Sequence, residues 1–270
     1  MSVERASMIP EKNSVSTEPS ETSSLHSEGS KATDSIGDFD DYALDYEAAL
    51  GRGLSVSGES QDYFAEERVK WLSSRLLERG RMEVGKVMDF GCGTGASTPF
   101  LLDYLRAEHV LGVDVSEGSL EVARGLYAGR KADYTLIDHD TPPTGQIDLA
   151  FCNGVFHHIP LDQREAAVLY VWKSLKVGGF FAFWENNPWN PGTRYVMSRI
   201  PFDRDAITLS YPEAGKLLTA GGFRVRETDF LFIFPNVLRR LRPIEKFVSR
   251  LPLGAQYLVL CEKVGEEVRS

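Results

Sequence analysis

The residues whose types and spacing most clearly indicate a ligand site are a glycine-rich segment and an aspartate that follows it. The segment VMDFGCGTGA, residues 87–96, places Gly91, Gly93 and Gly95 on alternate positions at the end of an apolar run. Glycines remove Cβ atoms where a chain turns sharply, and they let a ligand approach the backbone closely. Asp114 lies 23 residues after Gly91, at the end of the next apolar run, where its carboxylate can accept hydrogen bonds from both hydroxyls of a ribose. The pattern predicts a site for a nucleoside-containing cofactor.

The kind of nucleoside depends on Asp89, two residues before the first glycine. Gly91, Gly93 and Ala96 also satisfy the loose dinucleotide pattern Gly-x-Gly-x-x-Gly/Ala, which by itself is weak evidence. A carboxylate at position 89 would repel a pyrophosphate, whereas it suits the ammonium of an amino-acid cofactor. The residues therefore favour an amino-acid-bearing nucleoside over NAD, and a glycine turn without any ligand is a weaker alternative.

The combination Asp89-x-Gly91-x-Gly93-x-Gly95, followed by Asp114, resembles the signature of the class I S-adenosylmethionine-dependent methyltransferases. The resemblance extends from about residue 61 to residue 264 and is most specific over residues 87–95. It implies a Rossmann-like sheet of seven strands, the last two forming an antiparallel hairpin, with S-adenosyl-L-methionine as cofactor.

By that resemblance, Asp89 and the glycines hold the methionine end, Asp114 holds the ribose, and an acid after the third strand holds the adenine amino group. Asp138 is the matching position, with His139 and Asp140 as alternatives. The predicted cofactor contacts are Asp89, Phe90, Gly91, Cys92, Gly93, Gly95, Asp114, Val115, Asp138, His139 and Asn153.

Residues 153–160, NGVFHHIP, follow the fourth apolar run, where ligands bind in a parallel sheet. They differ from the Asn/Asp-Pro-Pro-Tyr sequence that in this superfamily marks amino-group methylation of DNA bases and protein amides. They resemble methyltransferases of small molecules, including quinone-ring and natural-product enzymes. The predicted acceptor is therefore a small molecule.

His158 is the predicted catalytic residue of this segment. Methyl transfer from a sulfonium is an in-line displacement with a neutral leaving group, so positioning supplies most of the acceleration and a base is optional. Histidine, with an ordinary pKa near ~6.5, suits that base. A place in the cofactor shell and a packing role are the alternatives for His158.

A polar, proline-containing segment after the fifth strand, residues 184–195, predicts a loop over the acceptor. The candidate acceptor contacts are His157, Asn186, Arg194 and Tyr195, with structural, turn and surface roles as alternatives.

Apolar runs alternating with helical patterns predict the elements that position these residues. Predicted strands cover residues 84–90, 109–115, 132–137, 147–152 and 177–184; predicted helices cover residues 61–79, 97–107, 117–127 and the segment after Asp162. Two final apolar runs, residues 223–234 and 255–264, predict a terminal strand pair. The expected fold is α/β, a doubly wound, mostly parallel sheet with its ligand crevice at the carboxyl ends of the strands.

Two pairs of residues have the spacing of a capping box, Asp162 with Glu165 and Ser210 with Glu213. Each pair predicts the start of a helix, and Gly221-Gly222 predicts the end of the second one.

The acidity of the chain belongs to its first part. The formal charge is -9, and residues 1–47 hold eleven acids against three basic residues, a balance of -8 that leaves -1 for the rest. We expect a disordered, Ser-rich acidic head over residues 1–40, a helical lid over residues 41–83, and a methyltransferase domain over residues 84–270. The near-neutral body argues against nucleic acid as a partner.

The three cysteines, Cys92, Cys152 and Cys261, form no C-x-x-C pair, so no disulfide framework or metal site is predicted. The cysteine pattern fits a reducing compartment, and no apolar stretch reaches the ~20 residues that span a bilayer, so we expect a soluble, cytoplasmic protein. Residues 236–250 are basic and amphipathic, with five Lys or Arg against Glu245 alone. They predict a solvated face, or peripheral contact with an anionic membrane or a phosphate-linked acceptor.

These features together predict an S-adenosylmethionine-dependent methyltransferase that acts on an oxygen or carbon of a small molecule. An NAD-dependent oxidoreductase is the first alternative and is disfavoured by Asp89. A cofactor-binding module without catalysis is the second, and the paired histidines argue against it.

Overall fold

A seven-stranded sheet forms the centre of the computed structural model, which describes residues 57–138, 141–200, 203 and 206–265. The strands are β1 (Lys86–Phe90), β2 (His109–Asp114), β3 (Ala132–Leu136), β4 (Ile147–Asn153), β5 (Leu175–Asn186), β6 (Phe223–Leu231) and β7 (Gln256–Lys263). Their order across the sheet is β3-β2-β1-β4-β5-β7-β6. Strands β1 to β5 pair in parallel, and β7 runs antiparallel to β5 and β6. The predicted fold, with its C-terminal antiparallel pair, is confirmed.

Helices cover both faces of the sheet. They are α1 (Gln61–Leu77), α2 (Thr98–Tyr104), α3 (Glu117–Leu126), α4 (Arg164–Ser174), α5 (Pro191–Met197), α6 (Tyr211–Ala220) and α7 (Glu245–Val248). Because successive side chains of a strand point to opposite faces, Val87 packs into one core and its neighbour Met88 into the other, and neither is exposed. Covering both faces in this way is typical of parallel sheets.

Part of the predicted N-terminal organisation lies outside the described residues. This holds for the head, residues 1–40, and for residues 41–56 of the lid. The described part of the lid is α1, which buries Val69, Leu72 and Leu76 in the core beneath the sheet. This helix is therefore an integral layer of the domain, and only its beginning reaches the ligand crevice.

The capping box predicted at Asp162 and Glu165 is wrong. Helix α4 begins at Arg164, and Gln163 stands at its N-cap without a side-chain hydrogen bond. At α6 the prediction is confirmed, because the Ser210 backbone N–H donates to Glu213 Oε2 at 2.8 Å and the helix ends at Gly221.

Two other segments differ from the sequence-based expectation. The segment expected as a loop after β5 contains helix α5, which Pro191 starts and Asn190 caps by accepting the Thr193 N–H at 3.1 Å. Strand β5, Leu175–Asn186, begins two residues before and ends two residues after the predicted strand over residues 177–184.

The basic segment between β6 and β7 forms a 3-10 helix, Asn236–Ile244, followed directly by the short helix α7. Pro243 lies inside the 3-10 stretch and has no backbone N–H to donate. Within the described residues, no helix combines the length and apolarity needed to cross a bilayer.

Candidate functional site

A cavity of ~460 Å³ opens at the carboxyl ends of β1, β4 and β5, where a doubly wound sheet binds its ligands. The predicted site residues that line it are Asp89, Gly91, Cys92, Gly93, Asn153, His157, His158, Asn186 and Tyr195. The predicted residues Phe90, Gly95, Asp114, Val115, Asp138 and Arg194 do not line it. His139 lies outside the described residues.

Asp89 is a buried carboxyl group at the end of β1. Burial, and then the negative charge of Asp114, raise the pKa of Asp89 to about 7. Among the described residues, no hydrogen bond or ion pair to the Asp89 carboxylate is found. A buried acid in this state is stabilised by a cation that enters the cavity.

A second unsatisfied acceptor, after the Asp89 carboxylate, belongs to Asn153 at the end of the neighbouring strand β4. Its Oδ1 is buried and has no hydrogen-bond partner within the described part of the chain. Buried polar atoms are nearly always paired, so an orphan on a cavity wall indicates a missing donor. Asp89 and Asn153 therefore both favour an occupant that brings positive charge and N–H donors.

Hydrogen bonds from backbone N–H groups hold the turn of the glycine loop. The Gly91 and Cys92 N–H groups donate to Val113 O at 2.8 and 3.1 Å, and the Gly93 N–H donates to Asp114 Oδ2 at 2.8 Å. Gly93 has a φ of +52°, and a Cβ built there meets no atom within 4 Å. The open space above Gly93 leaves the backbone accessible to a ligand.

Gly91 differs from Gly93 because no side chain fits there. Its φ is +72°, and an added Cβ would lie 2.3 Å from Val155 Cγ2. We expect Gly91→Ala to lower the free energy of unfolding by about 1–2 kcal/mol for the left-handed backbone and a further ~1–3 kcal/mol for the clash. Gly80→Ala is the matched control, since Gly80 has the same φ and an added Cβ there meets nothing within 4 Å. If urea unfolding shows the same loss of unfolding free energy for Gly91→Ala and Gly80→Ala, the clash with Val155 is relieved without a measurable cost.

Asp114 fixes the loop between β2 and α3. Besides the Gly93 N–H, its carboxylate accepts the Ser116 N–H at 3.0 Å, and Ser116 caps α3 by accepting the Ser119 N–H. The side chain therefore lies beside the glycine loop, just beyond the cavity lining. Val115 and Asp138 are exposed, and the buried Phe90 ring packs against Phe156 and Tyr170, 6.1 and 5.8 Å between centroids. Their proposed contacts with a cofactor remain predictions.

The two histidines after β4 belong to a buried ionic network. His157 Nδ1 lies 2.7 Å from Glu185 Oε2, and its Nε2 lies 3.5 Å from Asp203 Oδ1. His158 Nε2 lies 3.3 Å from the same Asp203 oxygen. Glu185 also accepts the Phe156 N–H at 2.8 Å, which fixes its carboxylate at the end of β5.

His157 is held in its charged form. Burial opposes the charge, but the carboxylates of Glu185 and Asp203 outweigh it and raise the pKa of His157 to about 10. Against the effect of burial, the His157 charge and hydrogen bonds lower the pKa values of Glu185 and Asp203. An imidazolium has no lone pair to accept a proton, so His157 is an anchor and His158 is the candidate base.

The same three side chains also have metal-ligand chemistry. Ligand atoms of His157, His158 and Asp203 all lie within 4.8 Å of one another. The sequence predicted no metal site. We interpret the cluster as an ionic network, because the charged His157 already satisfies both carboxylates and would have to lose its proton to bind a metal.

Sequence reasoning missed Glu185 and Asp203. Glu185 had a signal, since it is an acid inside the apolar run FFAFWEN, and a fully buried Glu is rarely found without a partner. Asp203 had none, because it lies 46 residues after His157 in a polar stretch.

Of the candidate acceptor contacts, Asn186 and Tyr195 line the cavity, whereas Arg194 is exposed on α5 and does not line it. Asn186 Oδ1 accepts Gln256 Nε2 at 3.0 Å, and Gln256 Oε1 accepts the Nε of the buried Arg68 at 2.7 Å. Arg68, which belongs to the predicted lid, and Gln256, which was not anticipated, also line the cavity. Arg68, on α1, brings a buried positive charge to the cavity wall, and Gln256 is the first residue of β7.

In sequence, the chain is similar to known methyltransferases. Residues 88–181 match a family described as a methyltransferase domain. A trans-aconitate 2-methyltransferase from Methylobacterium nodulans is 29% identical over 174 residues, 62% of this chain and 61% of that protein. A ubiquinone biosynthesis O-methyltransferase from Marinobacter nauticus is 32% identical over 149 residues, 50% of this chain and 59% of that protein. The chain spans less than two thirds of the length of these curated relatives.

Solved structures show the same fold. A SAM-dependent methyltransferase from Thermotoga maritima superposes with a TM-score of 0.57 at 21% identity, covering 85% of this chain and 99% of that one. At this identity the likeness shows the fold alone. The predicted resemblance to class I S-adenosylmethionine-dependent methyltransferases is confirmed.

Proposed function

We propose that the protein transfers a methyl group from S-adenosyl-L-methionine to an oxygen or carbon of a small-molecule acceptor. The observation that supports this best is the pair of unsatisfied acceptors on the cavity wall, the Asp89 carboxylate and Asn153 Oδ1. They fit the ammonium of an amino-acid cofactor, which brings one positive charge and several N–H donors. A dinucleotide would place a pyrophosphate near Asp89, and like charges would repel.

The other predicted contacts come from three loops, and each loop binds a different part of the cofactor. The open backbone at Gly93 admits the chain that links the amino acid to the ribose, Asp114 binds the ribose hydroxyls, and Asp138 or His139 binds the adenine amino group. When bound, S-adenosyl-L-methionine supplies an electrophilic methyl group on a sulfonium. The residues of this chain orient that methyl group towards the cavity and exclude water around it.

His158 removes the acceptor proton in this proposal. If its Nε2–H donates to Asp203 Oδ1, 3.3 Å away, the lone pair lies on Nδ1, where it can accept a proton. Asp203 is then a positioning residue that fixes the tautomer of His158. The charged His157, held by Glu185, keeps Asp203 in place.

The charge of the cavity wall indicates the class of acceptor. Arg68 is buried and lines the cavity, where its Nε donates to Gln256 and its guanidinium lies over the Phe232 ring. A buried guanidinium favours a carboxylate, phenolate or carbonyl oxygen. A small acid or phenol therefore suits this wall, and the relatives named for trans-aconitate and for ubiquinone biosynthesis are consistent with that class.

Calorimetric titration tests the cofactor. We expect S-adenosylmethionine and S-adenosylhomocysteine to bind, NAD not to bind, and Asp114→Ala to weaken both adenosyl compounds at least about tenfold through loss of charge-assisted hydrogen bonds. Asp133→Ala is the control, because it removes the same carboxylate from an exposed position on β3. Binding of NAD alone would replace this proposal with an oxidoreductase.

A further inference from the structure

The segment between β6 and β7 presents large apolar side chains to solvent. Neither the 3-10 helix Asn236–Ile244 nor α7 has a buried residue. Val237 is 87% exposed and Phe247 is 77% exposed. The exposed apolar set is Val237, Leu238, Leu241, Ile244, Phe247, Leu251 and Leu253, and we refer to residues 237–253 as the apolar-basic face. Apolar side chains in such number on one surface usually mark an interaction site.

The charges on this face have one sign. Arg239, Arg240 and Lys246 are exposed. Glu245, the single acid of residues 236–250, turns inward, where its carboxylate accepts the N–H groups of Phe232 and Phe234 at 3.1 and 3.0 Å. The outer surface is therefore apolar and positive.

Buried polar contacts hold the segment from behind. The fully buried Asp229 on β6 accepts Trp71 Nε1 at 2.9 Å and Arg75 Nε at 2.8 Å from α1, and it lies 3.4 Å from Ser249 Oγ. Arg250 pairs with Glu227, the next acid on that strand. These contacts fix the inner side of the segment and leave its apolar side chains exposed.

The face continues towards the cavity. Asn190 Nδ2 donates to Leu253 O at 2.8 Å, which brings the loop with Trp189, 53% exposed, alongside Leu253. Phe234, at the start of the segment, lines the cavity. Tryptophan at an exposed rim favours the boundary between water and lipid.

We propose that the apolar-basic face binds the surface of an anionic lipid membrane. Exposed apolar side chains enter the headgroup boundary, and Arg239, Arg240 and Lys246 attract acidic lipids. A second copy of this chain suits the face less well, because a two-fold interface would place these positive charges against one another. The proposal does not rest on methyl transfer, since lipid binding needs neither cofactor nor acceptor.

Vesicle flotation of the full chain tests the proposal. We expect binding to phosphatidylcholine vesicles that contain phosphatidylserine, little binding to phosphatidylcholine alone, and release by added salt. Val237→Glu and Phe247→Glu should each weaken binding about tenfold or more, since a buried apolar side chain contributes about 1.5–3 kcal/mol. Val177→Glu is the matched control, because Val177 is 69% exposed at the opposite end of β5.

Three results would overturn the proposal. Binding that does not depend on phosphatidylserine would remove the role of charge, and an equal loss in Val177→Glu would remove the role of this face. Absence of vesicle binding by the full chain would also overturn it, including the case in which light scattering shows a dimer that Phe247→Glu dissociates.

Discussion

We expect Asp89→Asn to weaken binding of S-adenosyl-L-methionine at least about a hundredfold while it stabilises the cofactor-free protein. Removing one partner of a buried charge pair typically costs about 2–5 kcal/mol of binding. Asparagine keeps the size of the side chain but loses the charge that the cofactor ammonium requires. Calorimetric titration of both proteins measures this loss.

The gain in stability follows from the pKa of Asp89, which is about 7 in the folded state against an ordinary value of 3.8. A raised pKa means that the folded state prefers the protonated acid, so the stability it contributes is present below pH ~4 and is lost as the pH rises towards 7. Above pH 7 the buried carboxylate costs up to about 4 kcal/mol, at 1.36 kcal/mol for each unit. We therefore expect the free energy of unfolding of Asp89→Asn to exceed that of the wild type by about 1–4 kcal/mol at pH 8.

Urea unfolding at several pH values separates this effect from a general change in packing. The difference in free energy of unfolding between Asp89→Asn and the wild type should shrink as the pH falls from 7 towards 4. Over this range the folded wild-type protein takes up a proton at Asp89 and becomes neutral there, as the variant already is. Asp133→Asn, at an exposed position, should show no such trend. An advantage that is constant with pH, or absent, would show that Asp89 is not held as an unfavourable buried charge.

Local patterns in the sequence determined the parts of the fold that were predicted correctly. Strands such as residues 84–90 and 147–152 are short apolar runs between turn residues, and the glycine loop has a steric requirement at Gly91 that no other residue type meets. The capping box at Ser210 is likewise a contact over three residues. At Asp162 the same pattern failed, because Pro160 and the turn after it delay the helix to Arg164.

The candidate site depends more on contacts between distant segments. His157 was recognised next to the fourth strand, but its partners lie 28 and 46 residues away at Glu185 and Asp203. The character of the surface formed by residues 236–250 also depends on the direction in which the Glu245 side chain points. Hydrogen bonds from backbone N–H groups just after β6 turn that side chain inward. Neither distance nor direction can be read from composition or spacing.

We expect His158→Asn to lower kcat by about 10²–10⁴-fold, the range typical of a lost general base. The assay is transfer of labelled methyl from S-adenosyl-L-methionine to the fastest acceptor in a panel of small hydroxy acids and phenols, because a hydroxyl group must lose a proton whereas a carboxylate is already ionised. The acidic limb of the pH-rate profile should disappear in the variant. A histidine must be unprotonated before it can act as a base, whereas asparagine has no proton to lose. Unchanged kinetics would remove His158 from the mechanism.

Asp203→Asn separates positioning from proton transfer. It keeps His158 but removes the carboxylate 3.3 Å from Nε2, so we expect a smaller loss of kcat, a retained but shifted acidic limb and little change in KM. His109→Asn is the control, because His109 Nε2 forms a similar pair with Asp133 at 3.1 Å at the amino end of β2, and neither residue lines the cavity. If Asp203→Asn and His158→Asn lose kcat equally and lose the same limb, Asp203 is part of the proton-accepting unit; if only KM changes, the network binds the acceptor and the base lies elsewhere.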